Sequence, residues 1–155
     1  MGRLRLFGEL IEAGGAIEGG QAAPGGGHQV GRIVRTAGDY QTSSTSFVDI
    51  DTTNLALNLT TGDSWVYLLL AGSLSVSSLG QVHLDFTVDG QRVGTTKGVQ
   101  QVQAAYIEDI QIGWLAYISA GSHVFRPQWR VSGGVATLRA SNAETPLLFA
   151  AVELK

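Results

Sequence analysis

Apolar side chains recur at every second position over most of the chain beyond residue 30. Leu55, Leu57 and Leu59 alternate with small or polar residues, and residues 82–88 repeat the pattern. Successive side chains of a β-strand point to opposite faces of a sheet, so each apolar set shares one face of a half-buried strand. The same region of the sequence has no helical period. The chain is therefore predicted to be all-β.

Turn residues divide this region into short strands. Asp89-Gly90 is the strongest hairpin signal, because both central positions of a type I′ turn need a positive φ. It predicts a hairpin between residues 82–88 and residues 91–96. With the other Gly and Ser clusters taken as turns, the sequence predicts about eight or nine strands.

The end of the chain favours two packed sheets over an open meander. A longer connection, residues 141–146, precedes the last apolar run at 147–154. We predict a jelly-roll-type β-sandwich of two antiparallel sheets with an extended Gly-rich N-terminal arm. Phe125 and Trp129 alternate with polar residues in an aromatic-rich strand, and we expect both in the core between the sheets.

The arm is predicted from glycine content. Residues 13–27 hold seven glycines and one proline, so a helix or paired strand there would carry a severe entropic cost. The glycines do not fall at every third position, which excludes a collagen stalk. A length of 155 residues suits one domain. We predict the arm and linker at residues 1–35 and the sandwich domain at residues 36–155.

In the segment before the glycines, polar and apolar residues alternate from Arg3 to Leu6, and apolar Phe7 follows. This pattern indicates a short strand or helix that docks on another surface. If the segment adds as a strand to a partner's sheet edge, main-chain hydrogen bonds supply binding and apolar side chains fill pockets. The residues predicted to make these partner contacts are Leu4, Leu6, Phe7, Leu10 and Ile11.

Charged residues make up only 15% of the chain, against roughly 25% in an average globular protein. This indicates that part of the surface faces another protein. The formal charge of -3, with scattered Lys and Arg, argues against nucleic acid as a partner. The longest apolar run, residues 65–71, is about a third of a membrane span, and no signal-peptide pattern is found. We predict no membrane partner, and a cytoplasmic product that is later assembled.

No motif for catalysis or metal binding stands out. His28, His83 and His123 lack a second ligand at metal-site spacing, and we expect His123 to hydrogen-bond its neighbours in a turn. Asp49 and Asp51 point the same way from a strand, but Ca²⁺ needs about six to eight oxygen ligands. Serine-nucleophile and phosphate-loop motifs are missing, as is cysteine. We therefore predict a non-enzymatic protein with no cofactor, metal site or catalytic residue.

Four aromatic residues leave two interpretations open. Trp65, Tyr67, Trp114 and Tyr117 lie among apolar neighbours, which favours the core or a subunit contact. The same residues can form a platform on which a sugar stacks. We expect the core or contact role, and keep the platform as the alternative.

The C-terminal part of the chain carries a resemblance. It contains the turn Gly121-Ser122-His123, an aromatic-rich strand at 125–131, the Gly133-Gly134 hairpin and a last apolar strand that ends in Glu-Leu. This succession resembles the closing strands of tumour-necrosis-factor and C1q-like jelly rolls in phage virion proteins.

The resemblance implies a homotrimer located in a virion. Such domains serve as capsid decoration proteins, and a short arm with no fibrous stalk fits that role, with the arm bound to the major capsid protein or another virion protein. The alternative is the receptor- or glycan-binding tip of a tail or head fibre.

Overall fold

The computed structural model describes residues 28–78, 80–103, 106–141 and 146–154, which contain twelve strands and no helix. In chain order the strands are β1 Val30–Arg35, β2 Tyr40–Thr42, β3 Val48–Asp49, β4 Leu57–Thr61, β5 Ser64–Val76, β6 Val82–Val88, β7 Gln91–Arg92, β8 Gln100–Val102, β9 Glu108–Ile118, β10 Gly121–Val131, β11 Ala136–Arg139 and β12 Leu147–Leu154. The predicted contact residues of the arm lie outside the described residues. The described part of the chain has no helix long and apolar enough to cross a membrane.

The strands form two antiparallel sheets. In sheet A the order is β1-β12-β5-β11-β2, and β9 pairs with the other side of β5. In sheet B the order is β3-β10-β6-β7, with β4 also on β10 and β8 also on β6. The prediction of an all-β sandwich of the jelly-roll type, with two antiparallel sheets, is confirmed. The count exceeds the prediction because several strands have only two or three residues.

Large aromatic side chains fill the space between the sheets. Trp129, Phe125 and Phe86 of sheet B are buried, as is Phe149 of sheet A. The rings of Phe86 and Phe149 stack across the core with centroids 6.1 Å apart. The prediction that Phe125 and Trp129 belong to the core is confirmed.

The Asp89-Gly90 hairpin also forms as predicted. Both residues have positive φ, 51° and 79°, and Val88 pairs with Gln91. The returning strand β7 is shorter than the predicted residues 91–96, because the chain leaves the ladder after Arg92 and turns back over sheet B.

The structure shifts the boundary that we predicted at residue 35. Residues 30–35 form β1, which pairs with β12 along its whole length. Gly31 is buried here, and a Cβ at this position would lie 3.1 Å from the Leu59 side chain and 3.2 Å from that of Leu57. Close packing against β4 thus explains why position 31 is a glycine. Residues 30–35 of the predicted arm therefore belong to the sandwich.

Candidate assembly surface

The outer face of sheet A is largely apolar. Side chains at directly opposite positions of neighbouring strands share a face, so the register of β1, β12, β5 and β9 defines rows across the sheet. The rows are Leu154, Trp65 and Tyr117; Val30, Val152, Tyr67 and Leu115; Arg32, Ala150, Leu69 and Gly113; and Val34, Leu148, Ala71 and Gln111. We call these four rows the apolar face. Arg32 is its one charged residue.

Large side chains of the apolar face are open to solvent in the single chain. The exposed fraction is 49% for Trp65, 38% for Tyr67, 45% for Leu115 and 59% for Tyr117. Scattered exposed apolar residues are normal on soluble proteins, but contiguous apolar patches are uncommon and mark contact surfaces. The rows make this patch continuous over four strands, as is typical of contact surfaces.

Three aromatic residues form one corner of the apolar face. Trp65 and Tyr117 pack edge to face, with ring centroids 5.4 Å apart and an angle of 75° between planes. The Tyr67 ring lies over Gly113, where a Cβ would collide with it. Gly113 therefore allows Tyr67 to lie against β9. The fourth aromatic residue, Trp114, lies on the inner side of β9 and is half-buried against the core.

A polar row borders the apolar face at the opposite end. It is formed by Arg139 of β11, Ser73 of β5 and Asp109 of β9. The Ser73 hydroxyl donates to Asp109 Oδ1 over 2.6 Å. Charges thus lie at the rim of the surface, as in protein interfaces with an apolar centre.

The outer face of sheet B has the opposite character. His83, Asp85 and Thr87 point outward from β6, yet all three are buried. The loop 93–99 packs over the His83 and Asp85 part of this face: Val99 N–H donates to Leu84 O over 2.8 Å, and His83 Nδ1 lies 3.0 Å from Lys97 O. The polar side chains under this loop and their neighbours on β10 are called the polar layer below.

Asp85 is the centre of the polar layer. Its side chain is fully buried, and Oδ2 accepts a 2.7 Å hydrogen bond from Arg92 Nε. Oδ1 accepts from the backbone N–H groups of Phe86, at 2.8 Å, and Gly94, at 2.9 Å. A buried carboxylate is stable only when paired and hydrogen-bonded, and these bonds also hold the loop over the sheet.

The Phe47 ring packs against two arginine side chains of the polar layer. The Arg92 guanidinium lies 3.7 Å from the centre of the Phe47 ring, and that of Arg130 lies 5.2 Å from it. Both distances are in the range of cation–π attraction. Beside them, Gln128 donates to Asp49 Oδ1 over 2.6 Å. The layer is not fully paired, because Nε of Arg130 is buried without a hydrogen-bond partner.

Glu153 anchors the chain where the predicted linker ends. Its carboxylate, buried between the sheets, accepts from Gly62 N–H and the Ser64 hydroxyl, each over 2.8 Å. It also accepts from Gln29 N–H over 3.1 Å, and Gln29 O accepts from Glu153 N–H over 2.8 Å. His28 Nδ1 lies 3.1 Å from the Glu153 carbonyl. The anchor sets the position from which residues 1–27 continue.

His123 joins two turns at the same end of the sandwich. Nδ1 lies 2.7 Å from the Asp89 carboxylate and Nε2 lies 2.9 Å from Ser119 O. Both partners are acceptors, so both ring nitrogens must donate, which requires the protonated ring. The hydrogen bond to Asp89 raises the pKa of His123 despite partial burial. We expected His123 to lie in a turn and to hydrogen-bond its neighbours, but it lies in β10, and of its two partners only Ser119 is close to it in sequence.

The other candidate residues have structural contacts. Asp51 Oδ1 accepts from the N–H groups of Thr53 and Asn54, each over 2.8 Å, and so closes a turn. Asp49 contacts Gln128, as described, and does not share a ligand position with Asp51. Within the described ranges no three His, Asp or Glu side chains are grouped as a metal site would require.

Comparison with known proteins identifies no family. No protein-family model matches the chain, and no curated protein matches it. Two similar solved structures are a T13 viral particle of infectious bursal disease virus and the Gx strain of that virus. The first has 16% identity and a TM-score of 0.38, covering 81% of this chain and 35% of the other. The second has 15% identity and a TM-score of 0.39, covering 81% and 36%. The chain thus spans about a third of those chains, and likenesses this weak carry no inference about function.

Proposed function

We propose that the protein is a non-enzymatic structural subunit of a virion that assembles as a homotrimer through the apolar face. The apolar face is the observation that carries this proposal. It is continuous, lies on the regular part of the sheet and is bordered by polar residues. Its burial in an assembly explains why so few residues of the chain are charged.

The energetics favour burial of this face. Full burial of one large apolar side chain contributes about 1.5–3 kcal/mol. Trp65, Leu115 and Tyr117 are each about half exposed in the single chain. Burial of their exposed parts in an assembly therefore contributes part of this free energy. Because the rows hold a single cation, Arg32, copies can pack together with few like charges opposed. Asp109 at the rim offers a partner for a cation of a neighbouring copy.

The trimer and the virion location rest on the resemblance of the C-terminal strands to trimeric jelly rolls of phage virions. A capsid decoration role is our preferred form of the proposal, with Leu4, Leu6, Phe7, Leu10 and Ile11 binding the major capsid protein or another virion protein. The sequence contains no catalytic motif, which supports a role in binding. Membrane and nucleic acid have no place in this proposal.

Light scattering on the full chain tests the trimer. We expect three times the mass of one chain, and the mass of one chain for Tyr67→Asp. Val135→Asp is the matched control, since Val135 and Tyr67 are both 38% exposed but Val135 lies outside the apolar face. A monomeric wild type, or a Tyr67→Asp variant that stays trimeric, would overturn the proposal.

The exposed aromatic corner supports a second candidate function, the receptor- or glycan-binding tip of a fibre. Aromatic rings open to solvent can stack on sugars. The copy number in purified particles separates the two functions, because a decoration protein covers the head whereas a tip protein occurs only at fibre ends. Absence of the protein from particles would overturn both.

A further inference from the structure

Strand β9 is a long edge strand with nothing paired to its outer side among the described residues. It runs for eleven residues and pairs only with β5. In an antiparallel pair, every second residue of the edge strand turns its N–H and C=O away from the partner. Such a row of free groups is a template for another strand.

The two lateral edges of sheet A differ in protection. At the β1 edge the strand has six residues, carries Arg32 and Arg35, and packs against Leu57 and Leu59 of β4. By contrast, β9 has no charge and no proline from Ile110 to Ile118. Short length and charge are among the usual devices that block pairing, and residues 110–118 of β9 have neither. An edge of this kind suits a regular partner strand.

We propose that the outer edge of β9 accepts residues 3–11 of a neighbouring copy as an added strand. This inference rests on the proposed trimer, and it makes a neighbouring copy, in place of the major capsid protein, the partner of residues 3–11. Main-chain hydrogen bonds supply the binding, and Leu4 and Leu6 would share one side of the added strand, where they can pack on an apolar side of sheet A.

Charge and length are consistent with this occupant. Glu108 and Asp109 lie at the start of β9, and Arg3 and Arg5 lie at the start of the added segment. A parallel orientation brings these opposite charges side by side. A Gly-rich linker such as residues 12–27 spans roughly 20 Å on average, about four strand spacings, so residues 3–11 can extend beyond the chain's own β1 edge.

The linker geometry favours a neighbouring copy over the same chain. Residues 28 and 29 are held by Glu153 beside β1, at the opposite edge of the sheet from β9. A direct route to the chain's own β9 crosses the apolar face, which other copies cover in the proposed trimer.

Residue-resolved amide hydrogen exchange on the full-length trimer tests the pairing. We expect every amide from Ile110 to Ile118 to be protected in the wild type. In Leu6→Asp, every second amide should exchange roughly tenfold faster or more, while those bonded to β5 stay protected. Gln21→Asp adds the same charge within the linker and is the matched control, with wild-type protection expected.

Three results would overturn the inference. Alternating labile amides in the wild type would show an open edge. Protection that survives Leu6→Asp would show another occupant. Protection that persists in monomeric Tyr67→Asp would show that the chain's own arm binds. The mass of the wild type separates these failures from failure of the proposed trimer, and Leu6→Asp should leave that mass unchanged.

Discussion

In both sheets, successive side chains of a strand alternate between the core and the outer face. The two outer faces nevertheless differ, because that of sheet B is buried and that of sheet A is exposed in the single chain. The polar layer of sheet B is covered by the chain's own loops and held by Asp85, Arg92 and Phe47. The apolar face of sheet A has no such cover among the described residues and leaves Trp65 and Tyr117 about half exposed. Sheet B is therefore completed within one chain, whereas the outer face of sheet A is left open in the single chain and is, in our proposal, covered by other copies.

Strands β5 and β6 show the difference most clearly. Val82–Val88 has a polar residue at every second position, yet these polar residues are buried. Ser64–Val76 is apolar on both sides over part of its length, yet Trp65 and Tyr67 are exposed. The polarity of the outward side chains therefore does not indicate whether a sheet face is covered. It indicates whether a polar or an apolar surface can pack against that face.

The largest effect should come from the core that both faces share. We expect Trp129→Ala to lower the free energy of unfolding by about 3–5 kcal/mol, because it leaves a large cavity between the sheets. Chemical denaturation measures this. Tyr106→Ala is the control, since Tyr106 is 83% exposed and its loss should change stability by less than about 0.5 kcal/mol. An unchanged midpoint for Trp129→Ala would contradict the core assignment.

Asp85→Ala tests whether the polar layer holds sheet B closed. The substitution leaves the N–H groups of Phe86 and Gly94 without an acceptor and Arg92 without its partner, so we expect a loss of about 3 kcal/mol. Asp85→Asn retains an acceptor for the N–H groups and should lose less. If Asp85→Ala unfolds at the wild-type denaturant concentration, these bonds do not stabilise the layer.

Phe47→Ala removes the ring that the two guanidinium groups contact. We expect a loss of about 1–2 kcal/mol from the cation–π attraction and the apolar contact together. Phe47→Leu keeps most of the apolar contact and should lie between the alanine variant and the wild type. Equal stability of the leucine variant and the wild type would show that the ring face contributes nothing.

The smallest effect should be a dependence on pH at His123. Its pKa is raised by the hydrogen bond to Asp89, so its contribution is present below the ordinary histidine pKa of 6.5 and is lost as pH rises through the raised value. Burial opposes ionisation of Asp89, but hydrogen bonds from His123 and Val124 N–H outweigh it and lower the pKa. The Asp89 contribution is therefore lost only in acid, as pH falls through that lowered value.

Thermal melts of the wild type and His123→Gln measure this contribution. The difference in Tm should be larger near pH 6, roughly where histidine still binds its proton, than near pH 8.5. A difference that grows with pH would contradict the protonated ring.

Local patterns were sufficient for much of the fold. Alternation and the Asp89-Gly90 turn predicted the all-β class, the hairpin and the burial of Phe125 and Trp129. Residues 30–35, which we assigned to the arm, form β1, and Gly31 in this strand packs against Leu57 and Leu59 of a distant strand. Composition does not reveal such a contact.

The candidate surface was only partly predictable. The sequence marked Trp65, Tyr67 and Tyr117 as core or contact residues, and the structure places all three on the outer face of sheet A. The rows depend on the pairing of β1 and β9 with strands far away in sequence, and a shift of one residue would turn each side chain to the other face. The predicted roles of residues 4–11 stay predictions, since those residues lie outside the described part of the chain.

Hydroxyl-radical footprinting of the native full chain tests most directly whether the apolar face is covered. We expect Trp65 and Tyr117 to be protected, although they are 49% and 59% exposed in the single chain, and Tyr106, at 83%, to react freely. The Tyr67→Asp variant should restore the reaction at Trp65 and Tyr117. Wild-type Trp65 and Tyr117 that react as fast as in the variant would contradict the account.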